Sequence, residues 1–150
     1  MTDNVTLREV QDDDLPIFFE QQLEPEATQM ADFPARDREA FMAHWAKIRR
    51  DQNNLMYTIL YDGQVAGNIV SWPQEDKQEV GYWLGKEFWG KGIATQALAQ
   101  LLNTITTRPL YAFVAKRNLA SRRVLEKCGF TQYDEDEVGF LLKLEAISKS

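Results

Sequence analysis

Cysteine and histidine are almost missing from this chain: Cys128 and His44 are the only ones in 150 residues. One cysteine excludes an internal disulfide. One thiol and one imidazole cannot build a tetrahedral transition-metal site, so no metal is expected. No apolar run approaches the roughly 20 residues that a membrane-spanning helix needs, so no membrane partner is expected. The stretch from Met1 to Thr6 has neither the basic region nor the apolar core of a secretory signal. Repeats, linkers and low-complexity blocks are also lacking. These absences fit a single domain over residues 1–150 in a reducing, cytoplasmic setting, either as a monomer or as a homodimer. Apolar residues make up 44% and charged residues 27%, ordinary values for a globular protein with a core of its own.

Positive charge is scarce overall, with a net charge of −6, but it is concentrated. From Lys86 to Lys127 there are eight basic residues and two acids, a net of +6, which leaves −12 for the remainder. A basic block inside an acidic protein suits a small anionic ligand. It does not suit a nucleic acid, whose binding depends on broad phosphate neutralisation. Residues 1–46 hold eleven acids and three bases. Such a region would draw a cationic amine, a polyamine or a basic protein tail, or would simply be a solvated acidic face.

Periodicity and turn signals give the element order. Residues 5–10 read as a strand. Asp12, Asp13 and Asp14, followed by Leu15 and Pro16, supply an N-cap and a helix start, with the helix running to about Leu23. Pro25 breaks it, residues 26–30 add a short turn, and Phe33-Pro34 ends that turn. Asp37 caps a further helix with Phe41, Trp45 and Ile48 on one face. Residues 55–61 and 64–72 are strands around Asp62-Gly63, a strong hairpin signal. Residues 73–78 read as a polar turn and 78–84 as a strand. A helix follows over about 91–106, with Ile93, Ala94, Ala97, Leu98, Leu101, Leu102 and Ile105 on its inner stripe. Residues 110–115 form a strand. Asn118 opens a helix that Gly129 closes after Cys128, and residues 130–133 and 137–144 form a closing hairpin. His44 reads as a partly buried helix residue and Cys128 as packing. The class is mixed α/β: an antiparallel series of strands, then a strand–helix–strand crossover that requires a parallel pair.

That crossover carries the run Trp89-Gly90-Lys91-Gly92-Ile93-Ala94-Thr95. Two glycines at a helix start leave several amides aimed at one spot, backed by the positive end of the helix dipole. This pattern suits a phosphate site, or else a strand–helix turn that needs its glycines for geometry only. It lacks the Gly-Lys-Ser/Thr ending of a nucleoside-triphosphatase loop and the spacing of a dinucleotide fold.

A second segment, Asn118 to Phe130, follows the next strand. Together the two resemble the GCN5-related N-acetyltransferase (GNAT) family, which binds acetyl-coenzyme A. In the family loop Gln/Arg-x-x-Gly-x-Gly/Ala, Trp89 takes the first position, Gly92 the glycine and Ala94 the last. Tryptophan there departs from the general pattern and is similar to the subgroup that acetylates ribosomal-protein N-termini (RimJ/RimL-like). The resemblance implies one mixed, mostly antiparallel sheet with a splayed parallel strand pair and helices on both faces. It also implies that acetyl-coenzyme A is the co-substrate and an amine, either a protein N-terminus or a small molecule, is the acceptor.

Site residues follow from the same resemblance. Tyr82, Trp83 and Leu84 on the first splayed strand would bond the pantetheine arm. Gly90 to Thr95 would take the pyrophosphate by their amides, with Trp89 and Arg123 in the same set. Asn118 would hold the arm or its thioester end, or serve only as a helix cap, and the two roles can coexist. Glu79 is the candidate base for the amine, or else a solvent-facing strand carboxylate. An amide of Trp83 or Leu84 would polarise the carbonyl. The tyrosine that many relatives use as acid is replaced by Leu125. Ser121, one turn after Asn118, is the substitute as a proton relay or sulfur partner, or a small residue that gives coenzyme A room. Other readings stay open at this point: a coenzyme A-binding module without catalysis, a nucleotide-binding enzyme, and an interaction domain with a vestigial pocket.

Overall fold

The computed structural model describes residues 4–31 and 34–145. The expectation that Phe33 helps end a helical turn lies outside the described residues. Seven strands form one sheet in the order β1-β2-β3-β4-β5-β7-β6. The strands are β1 (Val5–Glu9), β2 (Leu55–Tyr61), β3 (Gln64–Gln74), β4 (Lys77–Leu84), β5 (Leu110–Ala115), β6 (Thr131–Glu135) and β7 (Gly139–Leu144). The helices are α1 (Asp14–Gln22), α2 (Pro25–Ala31), α3 (Arg38–Arg50), α4 (Ile93–Thr104) and α5 (Leu119–Lys127). Every neighbouring pair is antiparallel except β4–β5.

Helices cover both faces, as expected. Alternation along the strands sends Ile59, Ile69, Val80, Leu110 and Leu142 to one face, where Ala97, Leu98 and Leu101 of α4 and Leu125 of α5 complete the principal core. The other face carries Met56, Val65 and Val70 against Phe18 of α1 and Phe41 and Trp45 of α3. Phe18 and Trp45 pack with ring centroids 5.1 Å apart.

Three local readings change. The run Asp12–Asp14 does not supply a side-chain cap. Asp14 turns inward instead, where Arg8 donates to it at 2.7 and 2.9 Å and the Thr58 hydroxyl at 2.6 Å. A buried carboxylate needs such partners, and only Arg8 supplies a full charge. Pro25 opens α2 rather than merely ending α1, because its fixed φ suits a first helical position. The turn expected over 73–78 shrinks, and β3 runs on through Pro73 to Gln74, since that φ also fits an extended strand.

Candidate active site

β4 and β5 begin as neighbours and end apart. Gln78 pairs with Leu110 and Glu79 with Tyr111; these are the only parallel pairs among the described residues. Beyond them β4 stays paired with β3 as far as Leu84 opposite Gly67. β5 stays paired with β7 as far as Ala115 opposite Gly139. Each strand is held by its outer neighbour, so the inner edges diverge and the backbone of β4 past Glu79 faces a gap.

A cavity of about 420 Å³ opens beside the far end of β4. β4 contributes Tyr82, Trp83 and Leu84; the following loop contributes Trp89, Gly90 and Gly92; α4 contributes Ile93, Ala94 and Thr95; α5 contributes Asn118, Ser121 and Arg123. The structure therefore brings together all but two of the expected residues. Lys91 is exposed between the two glycines and does not line the cavity. Glu79 sits at the closed end of the splay, on the opposite face of β4 from Val80 and Tyr82. The sequence reading missed Ala27, Phe88, Ala120, Val124 and Lys127. Ala120, Arg123, Val124 and Lys127 fall at helical spacing, so periodicity along α5 signals three of those five. Phe88 lies in a short 3₁₀ turn, Lys86–Phe88, and is buried. Ala27 comes from α2 and has no local signal.

The loop leaves its backbone exposed. Gly90 and Gly92 have φ of +78° and +77°, the left-handed region that glycine enters at no steric cost. A Cβ on Gly90 would meet nothing within 4 Å, and one on Gly92 only the Gln96 amide at 3.9 Å. The space beside this backbone is open to a ligand. Gly92 caps α4 with no side-chain bond. Gln96 is the first helical donor, to Gly92 O at 3.2 Å, so the amides of the first turn have no helical acceptor. Arg123 and Lys127 line the cavity, and neither has an ion-pair partner among the described residues. Arg122, by contrast, is tied to Glu126 at 3.2 Å. Trp89 has a structural task as well: its indole Nε1 donates to Leu84 O at 3.2 Å and pins the loop to the end of β4.

Asn118 does cap α5. Its Oδ1 accepts from Ser121 N at 3.1 Å, while the residue also lines the cavity. Ser121 Oγ lies 2.7 Å from the Tyr82 hydroxyl. Burial pushes the Tyr82 phenol up to about 12, against the opposing hydrogen bond with Ser121. Leu125 is buried in the principal core, so α5 presents no phenol from that position. The Glu79 carboxyl is raised by burial, with the Lys77 charge opposing. His44 is half-buried on α3, its imidazole pulled down first by burial and then by the nearby Arg36 and Lys47 charges. Cys128 packs beside the principal core, its Sγ 3.7 Å from Thr95 O. Among the described residues no group of three or more His, Cys, Asp or Glu is placed to hold a metal ion. None of their helices is long and apolar enough to cross a membrane.

Residues 4–131 match the family profile described as an acetyltransferase (GNAT) domain. The chain belongs to the GNAT family. YdaF of Bacillus subtilis (strain 168), whose name assigns it provisionally as a ribosomal N-acetyltransferase, is 33% identical over 102 residues. The match covers 63% of this chain and 56% of that protein, so the chain spans little more than half of its relative. Solved GNAT structures share the fold. RimJ of Mycobacterium smegmatis, bound to CoA-disulfide, superposes with a TM-score of 0.77 at 22% identity, covering 95% of this chain and 82% of that one. Spermidine N-acetyltransferase of Vibrio cholerae, bound to CoA and spermine, gives 0.79 at 16% identity, covering 93% of each chain. The chain shares that fold, with a splay between β4 and β5, a glycine loop before α4 and a capped α5.

Proposed function

We propose that this protein is an acetyl-coenzyme A-dependent N-acetyltransferase acting on an amine in a ternary complex. The observation that carries this reading is one cavity that runs from an amide-lined loop, flanked by Arg123 and Lys127 of α5, to the free edge of β4. Such a cavity suits a ligand with phosphates at one end and an extended arm at the other. Gly90 to Thr95 bind the pyrophosphate, assisted by Arg123 and Lys127. The free edge of β4 at Tyr82, Trp83 and Leu84 accepts the arm as an added strand, and Asn118 Nδ2 remains available to it because only Oδ1 serves the cap.

Acetyl-coenzyme A supplies an activated acyl group: the amine nitrogen bonds to its carbonyl carbon, the carbon–sulfur bond breaks, and the thiol leaves carrying one proton. Glu79 takes a proton from the acceptor ammonium, directly or through one water, and so creates the neutral nucleophile. Its raised carboxyl is better matched to that task than an ordinary one. An amide of Trp83 or Leu84 donates to the oxygen that gains charge. Ser121 donates a hydrogen bond toward the sulfur and is itself held by Tyr82. A free thiol at Cys128 suits a reducing cytoplasm.

Incubation with acetyl-coenzyme A and a panel of amines, scored by thiol release and by a mass gain of one acetyl group on the amine, tests this reading. Acetylated amine in step with released thiol is expected. Tight coenzyme A binding with no amine acetylated would leave a binding module, and a preference for ATP over coenzyme A would leave a nucleotide-binding protein.

A further inference from the structure

The acceptor's approach lies over the face of the sheet that carries Glu79. Five of the nine described acids of residues 4–46 are held by specific partners. Asp14 is tied to Arg8 at 2.7 Å and Asp12 to Arg49 at 2.8 Å. Glu24 and Glu26 share Lys86 at 4.0 and 2.9 Å, and Asp37 caps α3. What stands around Glu79 is aromatic. The register places Trp72, Glu79 and Tyr111 in one row across β3, β4 and β5, and side chains paired across strands share a face. The Trp72 indole leans toward the splay, since a Cβ on Gly81 would come within 3.3 Å of its ring. Phe113, two residues on from Tyr111, is 46% exposed but turns its ring over Gly139 of β7, away from Glu79. Tyr133 closes the far side, 5.8 Å from Tyr111 between ring centroids.

A cation already sits in this row. Lys77 Nζ lies 5.2 Å from the Tyr111 ring centroid, and its charge reaches Glu79. A second, Lys143 Nζ, lies 5.5 Å from the Tyr133 ring but is neutralised by Glu145 at 3.1 Å. The row therefore offers one carboxylate, ring faces suited to one ammonium and its apolar substituent, and an adjacent positive charge that opposes a second ammonium.

We propose, resting on the transferase reading above, that Trp72 and Tyr111 form the acceptor seat around Glu79. It selects a monoamine carried on an apolar or aromatic group over a polycation. Lys77 occupies part of the seat in the free protein and is displaced by the acceptor.

Calorimetry on the full chain saturated with coenzyme A tests this, with 2-phenylethylamine and spermidine as probes and acetyl transfer followed in parallel. The monoamine is expected to bind about tenfold more tightly than spermidine. Tyr111→Leu should weaken that binding about tenfold, the order of a cation–π contact, with coenzyme A affinity unchanged. Lys77→Gln, a change outside the core, should tighten it. Spermidine binding as tightly as the monoamine, or monoamine affinity unmoved by both Tyr111→Leu and Lys77→Gln, would overturn the seat. Selective monoamine binding with no acetyl transfer would support the seat and remove the transferase reading.

Discussion

Tyr82 on β4 and Ser121 on α5 meet through their hydroxyls, 2.7 Å apart, on the wall of the cavity. The contact joins the splayed strand to the helix that lacks the usual tyrosine, and it fixes which way Ser121 points. With its phenol pushed up to about 12, Tyr82 stays neutral throughout the working range. In the proposed mechanism its part is to hold Ser121. Tyr82→Phe should lower kcat several-fold and stability by about 1 kcal/mol, with coenzyme A affinity unchanged. Ser121→Ala should lower kcat by a similar factor, and the double variant should be no worse than either alone. Additive losses, read from kcat of the three variants, would show that the two hydroxyls act separately.

Gly92 sits at φ +77° with open space beside it. Gly92→Val places a β-branched side chain where the pyrophosphate must approach and in a backbone region that such residues rarely adopt. Coenzyme A affinity should fall more than tenfold, measured by calorimetry on protein shown by circular dichroism to be folded. Affinity of the parent should weaken with added salt, as expected of a phosphate held by amides and exposed cations.

Asn118 serves the helix and the cavity at once, so Asn118→Ala should show two effects. Loss of the cap to Ser121 N costs about 1 kcal/mol, seen as a lower melting temperature. Loss of Nδ2 weakens coenzyme A. A lower melting temperature with unchanged coenzyme A affinity would leave only the cap.

Asp14 links β1, α1 and β2 from a buried position. Burial opposes its ionisation, yet hydrogen bonds from Arg8, Thr58 and the Gln11 amide hold its carboxyl down at about 2. A carboxyl lowered on folding adds stability that is complete above the unfolded value, near 4, and is lost as pH falls through the folded one. Denaturant titrations should show about 2 kcal/mol lost between pH 4 and pH 2. Asp14→Asn should remove most of that dependence and destabilise the protein at neutral pH, since it leaves Arg8 without its partner.

Local chemistry was legible in the sequence where a few neighbouring residues decide the outcome. Asp62 and Gly63 adopt φ of 52° and 81°, the left-handed pair that an Asp-Gly hairpin turn requires. The glycine loop and the Asn118 cap were readable for the same reason. What stayed hidden depends on partners far along the chain. Asp14 finds Thr58 44 residues away, so an acidic run that resembles a cap becomes a buried ion pair. Tyr82 finds Ser121 39 residues away. The family resemblance placed the splay between the right strands, but its extent depends on β4 keeping β3 and β5 keeping β7, a competition between pairings that no local window contains. The row Trp72–Glu79–Tyr111 is likewise a product of register.

Glu79 is where the mechanism is most exposed to test. The decisive measurement is thiol release against pH, at saturating acetyl-coenzyme A, for the parent protein and for Glu79→Gln. Parent activity should fall as pH drops through the raised Glu79 carboxyl, because a protonated carboxyl cannot take the ammonium proton. At neutral pH the variant should be slower by about 10²-fold. The two rates should converge at high pH, where the amine is already free. Equal rates across the whole range would remove Glu79 from the reaction and leave positioning and carbonyl polarisation as the sole sources of rate.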